Sequence, residues 1–170
     1  MKIKVFSRNG KKGNAALETI TILLVMFVLA ISGLYGYKLF DDLNTGIQTD
    51  DDVGVTAKET SSNLFSVYPS LIDNLFLFAF TLLVIFVLVS SFMIDSRPVF
   101  FIVTSLLLVS VFLASMFLGN AYEDFADDAE LSSYANNLPY IHWVMSHILE
   151  LIISLGFVIG IIVFIKFKGI

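Results

Sequence analysis

The side chains able to do chemistry are few, and most are carboxylates or histidines set at the edges of long apolar runs. His147 and Glu150 stand three residues apart, which on a continuous helix puts both on one face, with His142 nearby. Glu150 falls about two turns into one apolar run, and Asp73 falls in the first turn of another. An ionisable group in hydrocarbon is costly, so each such residue is a candidate for function. A carboxylate and an imidazole at that depth can relay a proton or line an ion path, and Glu150, His147 and Asp73 are the candidates. The competing reading makes them interfacial groups: Asp73 held by water and a helix dipole, His147 and Glu150 satisfied as a polar cluster. A zinc site needs three or four ligands, and the five-residue step from His142 to His147 turns His142 off the shared face, so no metal site is expected. No nucleophile–base–orienter set can be assembled, and His-Glu-x-x-His, Gly-x-Ser-x-Gly and phosphate-cradling glycine loops are absent from the sequence. With no cysteine in the chain, thiolate chemistry and disulfides are excluded. The expectation is a protein that is not an enzyme and carries no cofactor.

The elements that must position these residues follow from composition. Of 170 residues, 57% are hydrophobic and only 15% charged, and the mean hydropathy is +0.87. A water-soluble domain holds about 45–50% apolar and about 25% charged residues, so the solvent of this chain is a lipid bilayer. A net charge of −5 argues against nucleic acid as a partner. Crossing a bilayer core takes roughly 20 helical residues. Four apolar runs reach that length, at about 15–37, 71–94, 98–119 and 143–165. They are too continuously apolar for barrel strands, and backbone groups in lipid need internal partners, so the fold class is all-α: an integral membrane four-helix bundle.

Charge orients the bundle. Lys2, Lys4, Arg8, Lys11 and Lys12 precede the first span, Arg97 sits between the second and third, and Lys166 and Lys168 follow the fourth. With four spans these positions share one side, leaving Lys38 and Lys58 opposite, so both termini are expected to be cytoplasmic, or inside a virion. The chain then divides into a basic leader, 1–14, and a four-span domain, 15–170, with acidic outer loops at 41–70 and 120–142. Within the first loop, Asn44-Thr45-Gly46 and Asp50–Gly54 read as breaks. The short turn Asp95-Ser96-Arg97-Pro98 makes spans two and three a tight antiparallel hairpin. The six tyrosines and Trp143 cluster at or near the outer boundary, where amphipathic rings belong. Helix contacts are expected at small-residue pairs: Gly156 with Gly160, Ser32 with Gly36, and Ser110 with Ala114.

Two segments carry resemblances. Lys11-Lys12-Gly13-Asn14-Ala15-Ala16-Leu17-Glu18, followed by an apolar run, resembles the class III signal of type IV pilins. That resemblance implies cleavage after Gly13, with Glu18 pairing with a neighbour's new amino group. The stretch Ser90–Ile102, with Asn120-Ala121-Tyr122 and 130–139, is similar to small multi-span proteins from the internal membranes of tailless icosahedral viruses. It implies a structural role, holding a vesicle beneath a protein shell. Three functions are therefore carried forward. The first is a structural or assembly membrane protein that contacts membrane or capsid partners through acidic loops. The second is a small transporter or channel component, a homo-oligomer using Glu150 and His147. The third is a pilin-like or secretion-apparatus subunit.

Overall fold

The computed structural model describes residues 15–92 and 98–168, and every regular element among them is a helix. In chain order these are α1 (Ala15–Thr49), α2 (Val55–Phe92), α3 (Pro98–Ala126), α4 (Ser132–Asn136), α5 (Pro139–Ser146) and α6 (Ile148–Lys168). Three of them, α1, α2 and α6, are long and apolar enough to cross a membrane, the signature of an integral membrane protein.

Helix α1 shows why these residues make this element. Leu23, Met26, Ala30, Leu34 and Tyr37 are buried, spaced three or four apart, while Leu24, Val25, Val28 and Leu29 are exposed. One stripe meets the other helices and the rest of the surface is equally apolar, as expected where the outer solvent is lipid. Ile148, Ile152, Ile159 and Val163 form the matching stripe on α6, with Phe157, Ile161 and Phe164 outside. Buried serines keep their hydroxyls inside their own helices: Ser91 Oγ donates to the Leu88 carbonyl at 2.6 Å and Ser115 Oγ to that of Phe112 at 2.9 Å.

The long helices form a ring in the order α1, α2, α6, α3, with α1 also packed on α3. Among the described residues α2 and α3 do not approach each other closely, although only 93–97 separate them, and those residues lie outside the description. The expected tight hairpin of spans two and three is therefore corrected: successive helices sit on a diagonal. A small apolar hollow of about 20 Å³ lies between α1, α2 and α6, lined by Ile22, Met26, Phe80, Leu83, Ile152 and Leu155, among others.

Helix ends depart from the sequence reading. The 41–70 stretch is not an irregular loop: α1 runs through Asn44-Thr45-Gly46 to Thr49, and α2 is already helical from Val55. Thr49 Oγ1 donates to the Thr45 carbonyl, and Ser61 Oγ to Asn44 Oδ1, so polar side chains sustain the helix past the expected break. The turn falls at 50–54, where Asp52 N–H donates to Asp50 Oδ1 at 2.9 Å. Gln48 and Lys58 then tie the two helices together, the Lys58 ammonium reaching the Gln48 carbonyl and the Gln48 amide the Lys58 carbonyl. Pro69 is accepted inside α2, one turn before Asp73, at the loss of one backbone hydrogen bond. The 120–142 stretch is likewise mostly helical, and the last long helix begins at Ile148 rather than near Trp143.

Small residues make close contacts at two expected positions, Gly36 and Gly156, and at Gly33, one position from the expected Ser32. Gly33 touches α2 and α5: a Cβ there would lie 3.0 Å from Ile72 and 3.2 Å from Ile141. A methyl at Gly36 would overlap the Tyr68 hydroxyl, and one at Gly156 would sit 2.9 Å from the Phe112 ring. Gly160 faces open space, Ser32 and Ser110 are exposed, and Ala114 is only half-buried, so within the single chain these four are not at close helix contacts. Gly33→Leu should lower the thermal stability of detergent-solubilised protein by about 1–3 kcal/mol through overpacking. Gly160→Ala, with a free Cβ position and better helix propensity, should leave the melting temperature unchanged or slightly raised.

Candidate functional site: the polar capped end of the bundle

Helices α4 and α5 cover one end of the bundle, and how α5 begins explains the polar site there. Pro139 is its first residue, suited to that place because it has no N–H to satisfy. The preceding Leu138 offers no side-chain cap. The donors left over are the N–H groups of Tyr140 and Ile141, since His142 N–H already reaches the Leu138 carbonyl at 2.9 Å. Asp73 of α2 supplies both acceptors: Tyr140 N–H donates to Oδ2 at 3.0 Å and Ile141 N–H to Oδ1 at 2.8 Å. The carboxylate is 3% exposed. A carboxylate so deeply placed is accommodated because two backbone donors and the positive end of the α5 dipole meet it. Asp73 thus takes over the capping that Leu138 does not give, for a helix that begins sixty-six residues further along the chain.

Around this junction are two further polar groups. Tyr122 of α3 is fully buried, and its ring lies 6.1 Å from that of His142. Burial, and after it the Asp73 carboxylate, pushes the Tyr122 phenol up. Two ties then hold the rest of the cap to α1. Lys38 forms an ion pair with Glu130, and Tyr134 donates its hydroxyl to Asp41 at 2.6 Å. Tyr37 packs between Phe65, Tyr68 and Tyr134 at centroid distances of 5.5, 6.0 and 5.2 Å. The aromatic boundary anticipated from sequence is therefore in part an interior cluster. The Tyr134 phenol is pushed up to about 12, first by its hydrogen bond to Asp41, then by burial and the nearby carboxylates.

The structure separates the residues expected to form an ion or proton path. The chain breaks helix at His147, the C-cap of α5, whose φ of −113° and ψ of 20° leave the helical region. His147 and Glu150 therefore do not share one helix. His147 is exposed, stacks on Trp143 at 5.2 Å, and its Nδ1 lies 2.9 Å from the Trp143 carbonyl, a contact that needs the proton on Nδ1. Glu150 is exposed in the first turn of α6, and Asp73 is buried against α5 instead. Asp73 was expected at the start of its own helix; it lies in the interior of α2 and serves the start of another. Gly13 lies outside the described residues, as does the side chain of Glu18, which belongs to the first turn of α1. Sequence reasoning missed Tyr122, Tyr134, Asp41, Lys38 and Glu130 as members of this site. The one available signal was Leu138-Pro139, a helix start with no capping side chain of its own.

Comparison with protein-family models, with curated proteins and with solved structures finds no match to this chain.

Removing the shared cap should loosen α5 first. Asp73→Ala is expected to destabilise the protein by about 1–3 kcal/mol, since buried donors lose their acceptor. Hydrogen exchange at Tyr140 and Ile141 should accelerate ahead of that in α1 and α6; unchanged protection there would contradict the assignment. The Tyr134 link sets an alkaline limit. Its folded-state value lies above the unfolded 10.0, so its stabilisation is complete below pH 10 and is lost as pH rises towards 12. Melting temperatures between pH 9 and 12 should fall less steeply in Tyr134→Phe than in the parent.

Proposed function

We propose that this chain is a non-enzymatic structural membrane protein that anchors in lipid through four helices and offers its capped end to partner proteins. Helix α3 supplies the fourth span: it is 29 residues long and its first charged side chain is Glu123. Both termini then lie on the cytoplasmic or virion-interior side, with eight of the ten basic residues, and the α4–α5 cap faces the other compartment. The internal membrane of a virion is the setting that the sequence resemblance implies.

The observation that carries the reading is the excess length of α1 and α2. A bilayer core accounts for about 20 residues of each. Helix α1 continues past Asp41, where Tyr134 binds, for the eight residues to Thr49, or about 12 Å. That rod ends in Asp50-Asp51-Asp52 and displays Asp42 and Glu59 on its flanks. Asp50 shapes the turn, so these acids belong to an ordered tip rather than a loose loop. A rigid acidic projection held to a pinned cap suits contact with another protein.

Conduction through a single bundle has less support. Met26, Phe80, Leu83 and Ile152 pack between α1, α2 and α6 around a hollow of about 20 Å³ that has no polar side chain among its lining residues. Glu150 and His147 lie on the outside of the bundle.

Replacing residues 44–61 with a short Gly-Ser turn tests the proposal. The shortened protein should still insert and melt cooperatively in detergent, yet lose co-purification with the membrane or shell proteins that accompany the full chain from its native membrane. Proteoliposomes containing the full chain should show no proton or cation flux above protein-free vesicles. Flux that Glu150→Gln abolishes would overturn the structural reading in favour of transport.

A further inference from the structure

Two polar atoms at the junction of α2, α3 and α5 are closed off from solvent and have no hydrogen-bond partner among the described residues: Tyr122 Oη and His142 Nδ1. Native proteins rarely leave such groups unmet, because each forfeits its hydration on folding. They are also neighbours, since the two rings stand 6.1 Å apart with an interplanar angle of 44°. The third member is Asp73, whose Oδ1 accepts the Ile141 N–H at 2.8 Å, one residue before His142 on α5. Each Asp73 oxygen accepts one backbone N–H from α5, and a carboxylate has about four lone-pair sites, so acceptor capacity remains. The junction thus holds a hydroxyl that can donate, a ring nitrogen that can accept and a carboxylate that can accept. Each comes from a different helix.

We propose that this junction is a hydration site occupied by one internal water. The water accepts from the Tyr122 hydroxyl and donates its two hydrogens to His142 Nδ1 and to a free lone pair of Asp73. Three partners are typical of a buried water. The arrangement fixes the His142 tautomer, because an accepting Nδ1 places the ring proton on Nε2. It also joins α3 to the Asp73–α5 cap without direct contact between the side chains. The water seats α5 against two helices at once.

Nuclear magnetic resonance on the full chain in detergent micelles or nanodiscs, with ¹⁵N-labelled histidine and tyrosine hydroxyl detection, tests this. The expected result is a water cross-peak to the Tyr122 hydroxyl, with His142 in the Nε2–H tautomer and a hydrogen-bonded Nδ1. Tyr122→Phe should shift the His142 Nδ1 resonance, whereas Tyr134→Phe, at the other tie of the cap, should leave it in place. Absence of the water cross-peak, an Nδ1–H tautomer, or a His142 signal indifferent to Tyr122→Phe would each overturn the proposal. A direct Tyr122–His142 hydrogen bond, seen as scalar coupling across it, would overturn it too.

Discussion

A carboxylate buried at a helix junction must find donors, and the architecture of the capped end follows from where Asp73 finds them. Its partners are the only N–H groups in the first turn of α5 that the chain cannot satisfy locally. Each side of the contact removes a penalty from the other. An unmet Asp73 would be an isolated charge at 3% exposure, and an uncapped α5 would leave two donors shut away from water. This mutual need fixes α5 across α2, sets Ile141 against Gly33, and carries the chain to the break at His147. Lys38–Glu130 and Tyr134–Asp41 then fasten the more exposed part of the same segment to α1.

Below that polar end the packing is governed by shape. Lipid gives apolar helices no hydrophobic reason to associate, so contact depends on close fit and small residues. The bundle shows this at Gly33, where α1 meets Ile72 and Ile141, and at Gly156, which makes room for the Phe112 ring of α3. The diagonal placement of α2 and α3 is part of the same solution. Helix α1 lies between them and packs on both, and α6 closes the ring on the far side.

The long helices were legible because span length is a one-dimensional property of the sequence. Their ends were less so. Asn44-Thr45-Gly46 has turn chemistry, yet α2 lies alongside, and Ser61 binds Asn44 within a helix. Tertiary contact outweighed local preference there. The Asp73 cap joins residues 67 and 68 positions apart, so no local pattern announces it, although the bare start Leu138-Pro139 asks for an outside acceptor. His147 carries neither Gly nor Pro to mark the end of α5. The i, i+3 reading of His147 and Glu150 therefore assumed a continuity that the backbone does not have. Of the small-residue pairs, Gly36 and Gly156 are at contacts, while Gly160, Ser32 and Ser110 face outward, because spacing identifies a stripe but not which stripe meets a neighbour.

We propose a four-span bundle whose termini share one side of the membrane while the α1–α2 tip and the α4–α5 cap occupy the other. The natural chain has no cysteine, so single-cysteine variants can be read without background. Labelling with a membrane-impermeant maleimide in sealed, oriented vesicles is the most direct measurement. Ser62→Cys and Asn136→Cys should react from one face only, and Ser7→Cys and Gly169→Cys only after the vesicles are opened or inverted. Reaction of Ser7→Cys and Gly169→Cys from opposite faces, or of Ser62→Cys from the same face as the termini, would contradict the account.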